Sequence, residues 1–235
     1  MDLFDKALQT FTNSGPQVKY FRLAKAGDEA VVRILISREE MMANWGGMFH
    51  TVTTYRNGKQ RFIPVKCYNE NDDSPNPGEC PVCSIIDANG KRNYPGPMAF
   101  VPIQLLGTRV ASNPVPEVPE ANDQLRIWQM RKTELSGLGV VIKDRLEEDE
   151  TFDIDRQDFR VQRLGEKAAT TYYFAPKKVT PLTGTFELPD SSQYNKYTPL
   201  DTIKQMLGQS PTQEDTQVQN QTAPPETNRK VNPFI

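Results

Sequence analysis

Every histidine and cysteine of the chain, His50, Cys67, Cys80 and Cys83, falls in one stretch between residues 50 and 83. Nothing else in the sequence constrains folding as tightly. Imidazole and thiolate are preferred zinc ligands, four is the tetrahedral count, and no ligand is left over. Cys80-Pro81-Val82-Cys83 forms a Cys-x-x-Cys knuckle, which lets two thiolates reach one ion from a tight turn. Sixteen residues separate His50 from Cys67 and twelve separate Cys67 from Cys80. These spacers are longer than in a DNA-reading finger and suit a zinc-ribbon-like insertion between two strands. Four protein ligands close the site, so the expected ion is one structural Zn2+ rather than a catalytic one. Two other readings stay open on these residues alone: a redox pair and inert buried thiols. Against redox, Gly78, Pro81 and the turn at Pro75 and Pro77 replace any thioredoxin-like strand–helix pattern. Against a disulfide framework, the cysteine count of three is odd, and no secretory leader is expected from Met1-Asp2-Leu3-Phe4-Asp5-Lys6.

At 235 residues the chain suits one domain with extensions or a small insertion. No run of about 18 apolar residues is present, so no membrane-spanning helix is expected. The expected location is the cytoplasm, where thiols stay reduced. The net charge of −2 gives no bulk support to nucleic-acid binding. The local distribution is different. From Tyr55 to Lys66 there are four cations, Arg56, Lys59, Arg61 and Lys66, and no acid, whereas Glu147 to Asp158 holds seven acids against Arg156. Such asymmetry is compatible with a basic groove on an acidic body.

Leu3, Phe4, Ala7, Leu8 and Phe11 predict a short amphipathic helix over residues 2–11, within an arm spanning 1–17. Strands are predicted over 18–23 and 30–36, joined by a turn at Ala26-Gly27-Asp28, with a loop over 41–47. Asn57-Gly58 between β-rich arms predicts a hairpin of 50–56 with 60–68. That hairpin places His50 and Cys67 opposite each other across the ladder. Residues 69–78 then form a polar loop that delivers the knuckle, pinned by metal because it has almost no apolar surface to bury. Further strands are predicted over 98–106, 124–130, 159–164 and 170–175. A Pro-rich connection spans 111–123, a helix spans 133–146 despite Gly137 and Gly139, and a short helix spans 199–207. From 208 to 235 the composition of Gln, Thr, Pro and Asn predicts disorder. The apolar tip Pro233, Phe234 and Ile235 is a candidate docking peptide. The whole is mainly β. The nearest architecture is an OB-fold-like five-stranded barrel over 18–207, with a zinc-binding insertion at about 49–97 and minor helices, one of them between the third and fourth strands.

The hairpin and insertion interleave aromatic and basic residues: Tyr55, Arg56, Lys59, Arg61, Lys66, Tyr68, Arg92 and Tyr94, with Phe62 and Lys91 nearby. Cations neutralise phosphates and release counterions, and aromatic faces stack unpaired bases whatever the base. Each aromatic also has a core reading, which we favour for Phe62 and leave open for Tyr55 and Tyr68. Catalytic signatures are lacking. The one histidine is claimed by the metal set, so no Ser-His-Asp arrangement can assemble, and Gly46-Gly47 is not followed by the Lys-Ser/Thr of a phosphate loop.

The chain resembles the phage single-stranded DNA-binding proteins that carry a zinc-ribbon insertion in an OB-fold, related to the helix-destabilising protein of T-even phages. The matching pieces are Phe21-Arg22-Leu23 with Gly27 to Leu35, the His50, Cys67, Cys80 and Cys83 set, Ile127-Trp128, and Phe159-Arg160-Val161 with Thr170 to Phe174. The resemblance implies zinc on the four ligands and a single-strand cleft between ribbon and barrel, lined by Tyr55, Arg56, Arg61 and Tyr68. The family usually ends in a strongly acidic tail. Here residues 208–235 hold Glu214, Asp215 and Glu226 against Arg229 and Lys230. The Pro-Phe tip is similar to that of bacterial single-strand-binding tails, but Ile235 follows it.

The expected function is non-enzymatic: sequence-independent coating of single-stranded DNA in phage replication, recombination and repair, with replication or recombination proteins recruited through the tail. The alternative is a zinc-ribbon adaptor that recruits replication or transcription proteins with little DNA contact. A metal-dependent nuclease using Asp153 or Asp155 is a third reading.

Overall fold

A computed structural model of the protein describes residues 18–56, 59–86, 90, 92–109, 125–181 and 187–208. The expected N-terminal arm, the Asn57-Gly58 turn, Lys91, the Pro-rich connection and the tail beyond Gly208 with its Pro233-Phe234-Ile235 tip lie outside these residues. The strands are β1 (Tyr20–Phe21), β2 (Glu29–Ile34), β3 (Gly46–Arg56), β4 (Lys59–Lys66), β5 (Gly96–Arg109), β6 (Leu125–Arg131), β7 (Asp158–Leu164) and β8 (Thr171–Lys177). The helices are α1 (Arg38–Glu40), which runs into a π-helical turn over Met41–Trp45, then α2 (Lys132–Glu148) and α3 (Leu200–Met206).

The protein is mainly β, built on an open mixed sheet. Its main path runs β1-β6-β5-β2-β7-β8, and β3, paired to β4, joins β5 as a branch. Among the described residues only the short β1–β6 ladder is parallel. Among the described residues no ladder joins β1 to β8, so the sheet does not close by hydrogen bonds. The length of β5 explains the branch. Its far half, Ile103 to Arg109, pairs with β2, while its near end, Gly96 to Ala99, pairs with Gly46–Phe49 of β3. One strand therefore carries both the main sheet and the hairpin of the metal-ligand insertion.

Alternation along the strands builds the core. Val32, Ile34, Val101, Ile103, Trp128, Met130, Phe159, Val161 and Phe174 are all buried. Register puts them on one face: Val32 opposes Phe159, Val101 opposes Trp128 and Val161 opposes Phe174. Trp128 stacks on Phe174 at 5.7 Å and meets the edge of Phe21 at 5.0 Å. Burying side chains of this size contributes roughly 1.5–3 kcal/mol each. Phe100 and Ile127, on the opposite face, are also buried, and Tyr194 from the chain after β8 packs against Phe100 there. The sequence pattern predicted the strands but not this second cover.

One expectation changes. Within the predicted loop over 41–47, Met41–Trp45 form a π-helical turn that buries Met41 and Trp45, and Gly46-Gly47 already belong to β3. Ser37 caps the preceding α1 by accepting from the Glu40 N–H at 3.1 Å. Two acids of the run at 147–158 are engaged in the fold. Asp153 accepts the N–H groups of Ile154 and Arg38. Asp158, the fully buried first residue of β7, is bonded to Arg33 of β2 at 2.6 Å and accepts the Thr180 N–H at 2.7 Å. The lone Arg33 among apolar neighbours in β2 is thereby matched. Helix α2 forms in spite of its glycines. At its start Glu134 accepts the Arg131 N–H at 3.1 Å, and a Cβ at Gly137 would stand 2.4 Å from the Tyr172 carbonyl oxygen. Glycine is thus what lets α2 lie directly on β8.

Candidate metal centre

The hairpin supplies the first two ligands. His50 opposes Val65 in the β3–β4 ladder, and Cys67 follows the strand end, donating its N–H to Met48 O at 2.8 Å. Cys67 therefore stands opposite Met48 rather than His50, as the sequence reading had it. Because side chains repeat every second residue along a strand, the two ligands still share one face as diagonal neighbours. The polar loop then returns the knuckle. Asn69 Oδ1 accepts the Cys80 N–H at 3.1 Å. Asn71 accepts the Met48 N–H at 2.8 Å and donates to the carbonyls of Met48 and Cys67. A Cβ at Gly47 would meet Asn71 Oδ1 at 2.8 Å, so glycine there admits the Asn71 amide.

The four ligand atoms all lie within 4.8 Å of one another. His50 Nε2 is 3.5 Å from Cys80 Sγ and 3.3 Å from Cys83 Sγ, and Cys67 Sγ is 3.6 Å from Cys83 Sγ. A tetrahedral zinc with its usual bond lengths sets S···S edges of about 3.7 Å and S···N edges of about 3.5 Å. The donor set and its spacing fit such an ion, and the cysteines are free thiols. His50 Nδ1 faces Asn93 Oδ1 at 3.4 Å, which orients the ring so that Nε2 turns to the sulfurs. Burial pushes the Cys67 and Cys83 thiols up. At Cys80, burial is outweighed by the bond to His50 and by nearby backbone N–H groups, and its thiol comes down to about 6. Packing three sulfurs together resists their common ionisation unless a cation shares the site. Asn69, Asn71 and Asn93 are the supports that sequence reasoning missed. Their only signal was a cluster of Asn in the loops flanking the ligands.

The other candidate residues fall into three groups. Lys59, Arg61, Arg92 and Tyr94 are exposed, with Tyr94 at 72%. Phe62, for which we favoured a core position, is 57% exposed. It opposes Thr53 on the outward face of the hairpin, while Ile63 and Val65 take the inward one. Lys66 and Tyr68, expected among the DNA-binding residues, are buried and engaged. Lys66 Nζ sits 2.6 Å from the Asp73 carboxylate and 4.6 Å from the centre of the Tyr197 ring. Tyr68 donates to the Thr198 carbonyl at 2.8 Å. Both are taken up by the segment that follows β8, whose return the sequence did not reveal. The side chains of Tyr55 and Arg56 lie outside the described residues. Among the described residues, the acidic run assembles no group able to hold a metal, and no helix is long and apolar enough to cross a membrane. The chain matches none of the protein-family models and none of the curated proteins.

Proposed function

We propose that the protein binds single-stranded DNA without sequence preference, on a face organised by one structural Zn2+ held by His50, Cys67, Cys80 and Cys83. The observation that carries this reading is the exposed surface of the metal hairpin and its following loop. Phe62 and Tyr94, which a core would ordinarily claim, stand in water on the same hairpin-and-loop unit that exposes Lys59, Arg61 and Arg92. Exposed aromatics interleaved with cations are what a stacked, unpaired strand requires. The topology supports it. Leaving aside β1 and the β3–β4 insertion, β2, β5, β6, β7 and β8 follow an OB-like order with α2 between the third and fourth strands. The metal insertion falls in the first connection, one of the two loops such folds use to grip oligonucleotides. The resemblance to phage single-strand-binding proteins agrees with this reading, and with a role in replication, recombination and repair.

The test is a fluorescence titration of zinc-quantified protein with single-stranded and duplex DNA at two salt concentrations. The expected outcome is salt-sensitive binding to single strands and much weaker binding to duplex. Undetectable binding to a homopolymer at low salt would refute it. One observation favours the adaptor reading: Ile86, in the same insertion, is 57% exposed, and an apolar residue there suits a protein surface. A protein partner whose binding survives charge reversal at Arg61 and Arg92 would select it.

A further inference from the structure

The segment after β8 is the part of the molecule that the site described so far leaves unexplained. It makes two sets of contacts. On the sheet, Tyr194 stacks on Trp45 at 5.9 Å, packs at a tilt on Phe100 at 6.1 Å, and meets the edge of Tyr20 at 6.3 Å. Asn195 donates to the Asn44 carbonyl at 3.0 Å. A few residues later the segment joins the metal-ligand unit. Tyr197 packs on Tyr68 at 4.8 Å and donates to Asp73 at 2.7 Å. Ile203 of α3 is fully buried in one apolar cluster with Val52, Val65, Cys67, Cys80 and Val82. Two of that cluster's members are therefore ligands.

We infer that residues 194–207 form a metal-dependent latch: zinc in the His50, Cys67, Cys80 and Cys83 site holds the latch down, and zinc loss releases it from the outer face of the main sheet. The inference rests on the zinc reading above. The physical basis is the make-up of the cluster under α3, where Cys67, Cys80 and Val82 come from the ligand end of the hairpin and the knuckle. Asn69 to Glu79 is a polar loop, so the apolar floor that receives Ile203 depends on the loop and knuckle keeping their place. A metal bond in the native state supplies that order in small metal units. The latch fits its seat on the sheet incompletely. Trp45 Nε1 and Asn195 Oδ1 are buried there with no hydrogen-bond partner. A contact with unmatched buried polar atoms is the kind that opens below the global unfolding limit. The coupling is reciprocal, so loosening the latch at Tyr194, which is none of the ligands, also loosens the metal. Release uncovers Trp45, Phe100 and the inner side of Tyr20.

The experiment is amide exchange on the full chain under reducing conditions, with zinc bound and after removal by chelator, preceded by measurement of zinc content. The expected result is one zinc per chain, and on its removal an exchange rate over 194–207 raised by at least about tenfold while β2 and β7 stay protected. Tyr194→Ala and Ile203→Ala then speed zinc transfer to a chromogenic chelator by about tenfold. Val140→Ala, on the exposed side of α2, leaves it unchanged. Zinc present but exchange over 194–207 unaltered by its removal overturns the latch and spares the zinc reading. So does a rise shared equally with β2 and β7, or zinc release that neither variant changes. A chain that binds no zinc overturns both.

Discussion

Replacing Phe62 with alanine separates a strand-binding face from an ordinary surface. Phe62 opposes Thr53 at the outward side of the hairpin and keeps 57% of its surface in water. Its removal leaves no cavity, so the stability cost stays within about 0.5 kcal/mol, and the metal ligands on the inward side are untouched. A stacked base, by contrast, loses roughly 1–3 kcal/mol when its aromatic platform goes. At about 1.4 kcal/mol per tenfold, that raises the dissociation constant by about 5- to 150-fold. Because no phosphate contact is lost, the slope of log affinity against log salt stays as in the parent. Arg61→Ala does the opposite: a modest loss of affinity, with the slope reduced by about 0.7. The assay is anisotropy of a labelled homopolymeric oligonucleotide at several salt concentrations, with zinc content and urea midpoint checked in parallel. An affinity within twofold of the parent, at unchanged zinc content, would refute the assignment of Phe62 as a stacking platform. A slope change without an affinity change would show that the electrostatic reasoning had been attached to the wrong residue.

Three further outcomes test the frame. Asp158→Ala strands the buried Arg33 guanidinium without its carboxylate and frees the Thr180 N–H, so urea denaturation loses about 3–5 kcal/mol. A loss under 1 kcal/mol would mean that water or another acceptor reaches Arg33. Gly137→Ala lowers stability by about 1–3 kcal/mol through overpacking against the Tyr172 carbonyl, although alanine is the better helix former by about 1 kcal/mol. A rise in melting temperature would disprove the close approach of α2 to β8. Cys80→Ser abolishes stoichiometric zinc and makes the insertion protease-sensitive. In the parent chain, acidification releases zinc, because the ligands bind it only when deprotonated. Zinc retained at full stoichiometry in the serine variant would remove Cys80 from the ligand set.

The metal set was legible because it depends on residue type and count. A chain with one His and three Cys, two of them in a knuckle and one beyond a hairpin, has few ways to place them. The hairpin delivered them much as the period of two requires. Only the diagonal offset of His50 and Cys67 needed the ladder itself. The strands of the main sheet, α2 and α3 were legible for similar reasons, since alternation and periodicity are local signals. Phe62 and Tyr68 were not. Both are aromatic residues at the same hairpin, and nothing in their own neighbourhoods separates one in water from one in the interior.

The sequence by itself determined which residues can hold a metal and which segments form strands and helices, because those depend on side-chain chemistry and short-range spacing. The tertiary structure alone decided which faces remain for binding. That choice is made by the return of Tyr194, Tyr197 and Ile203 across the sheet and onto the metal unit. These contacts span more than a hundred residues of chain from Tyr68 to Thr198. Burial at that distance leaves no periodic trace in either partner. It turned Lys66 and Tyr68 inward while leaving Arg61, Phe62, Arg92 and Tyr94 in solvent.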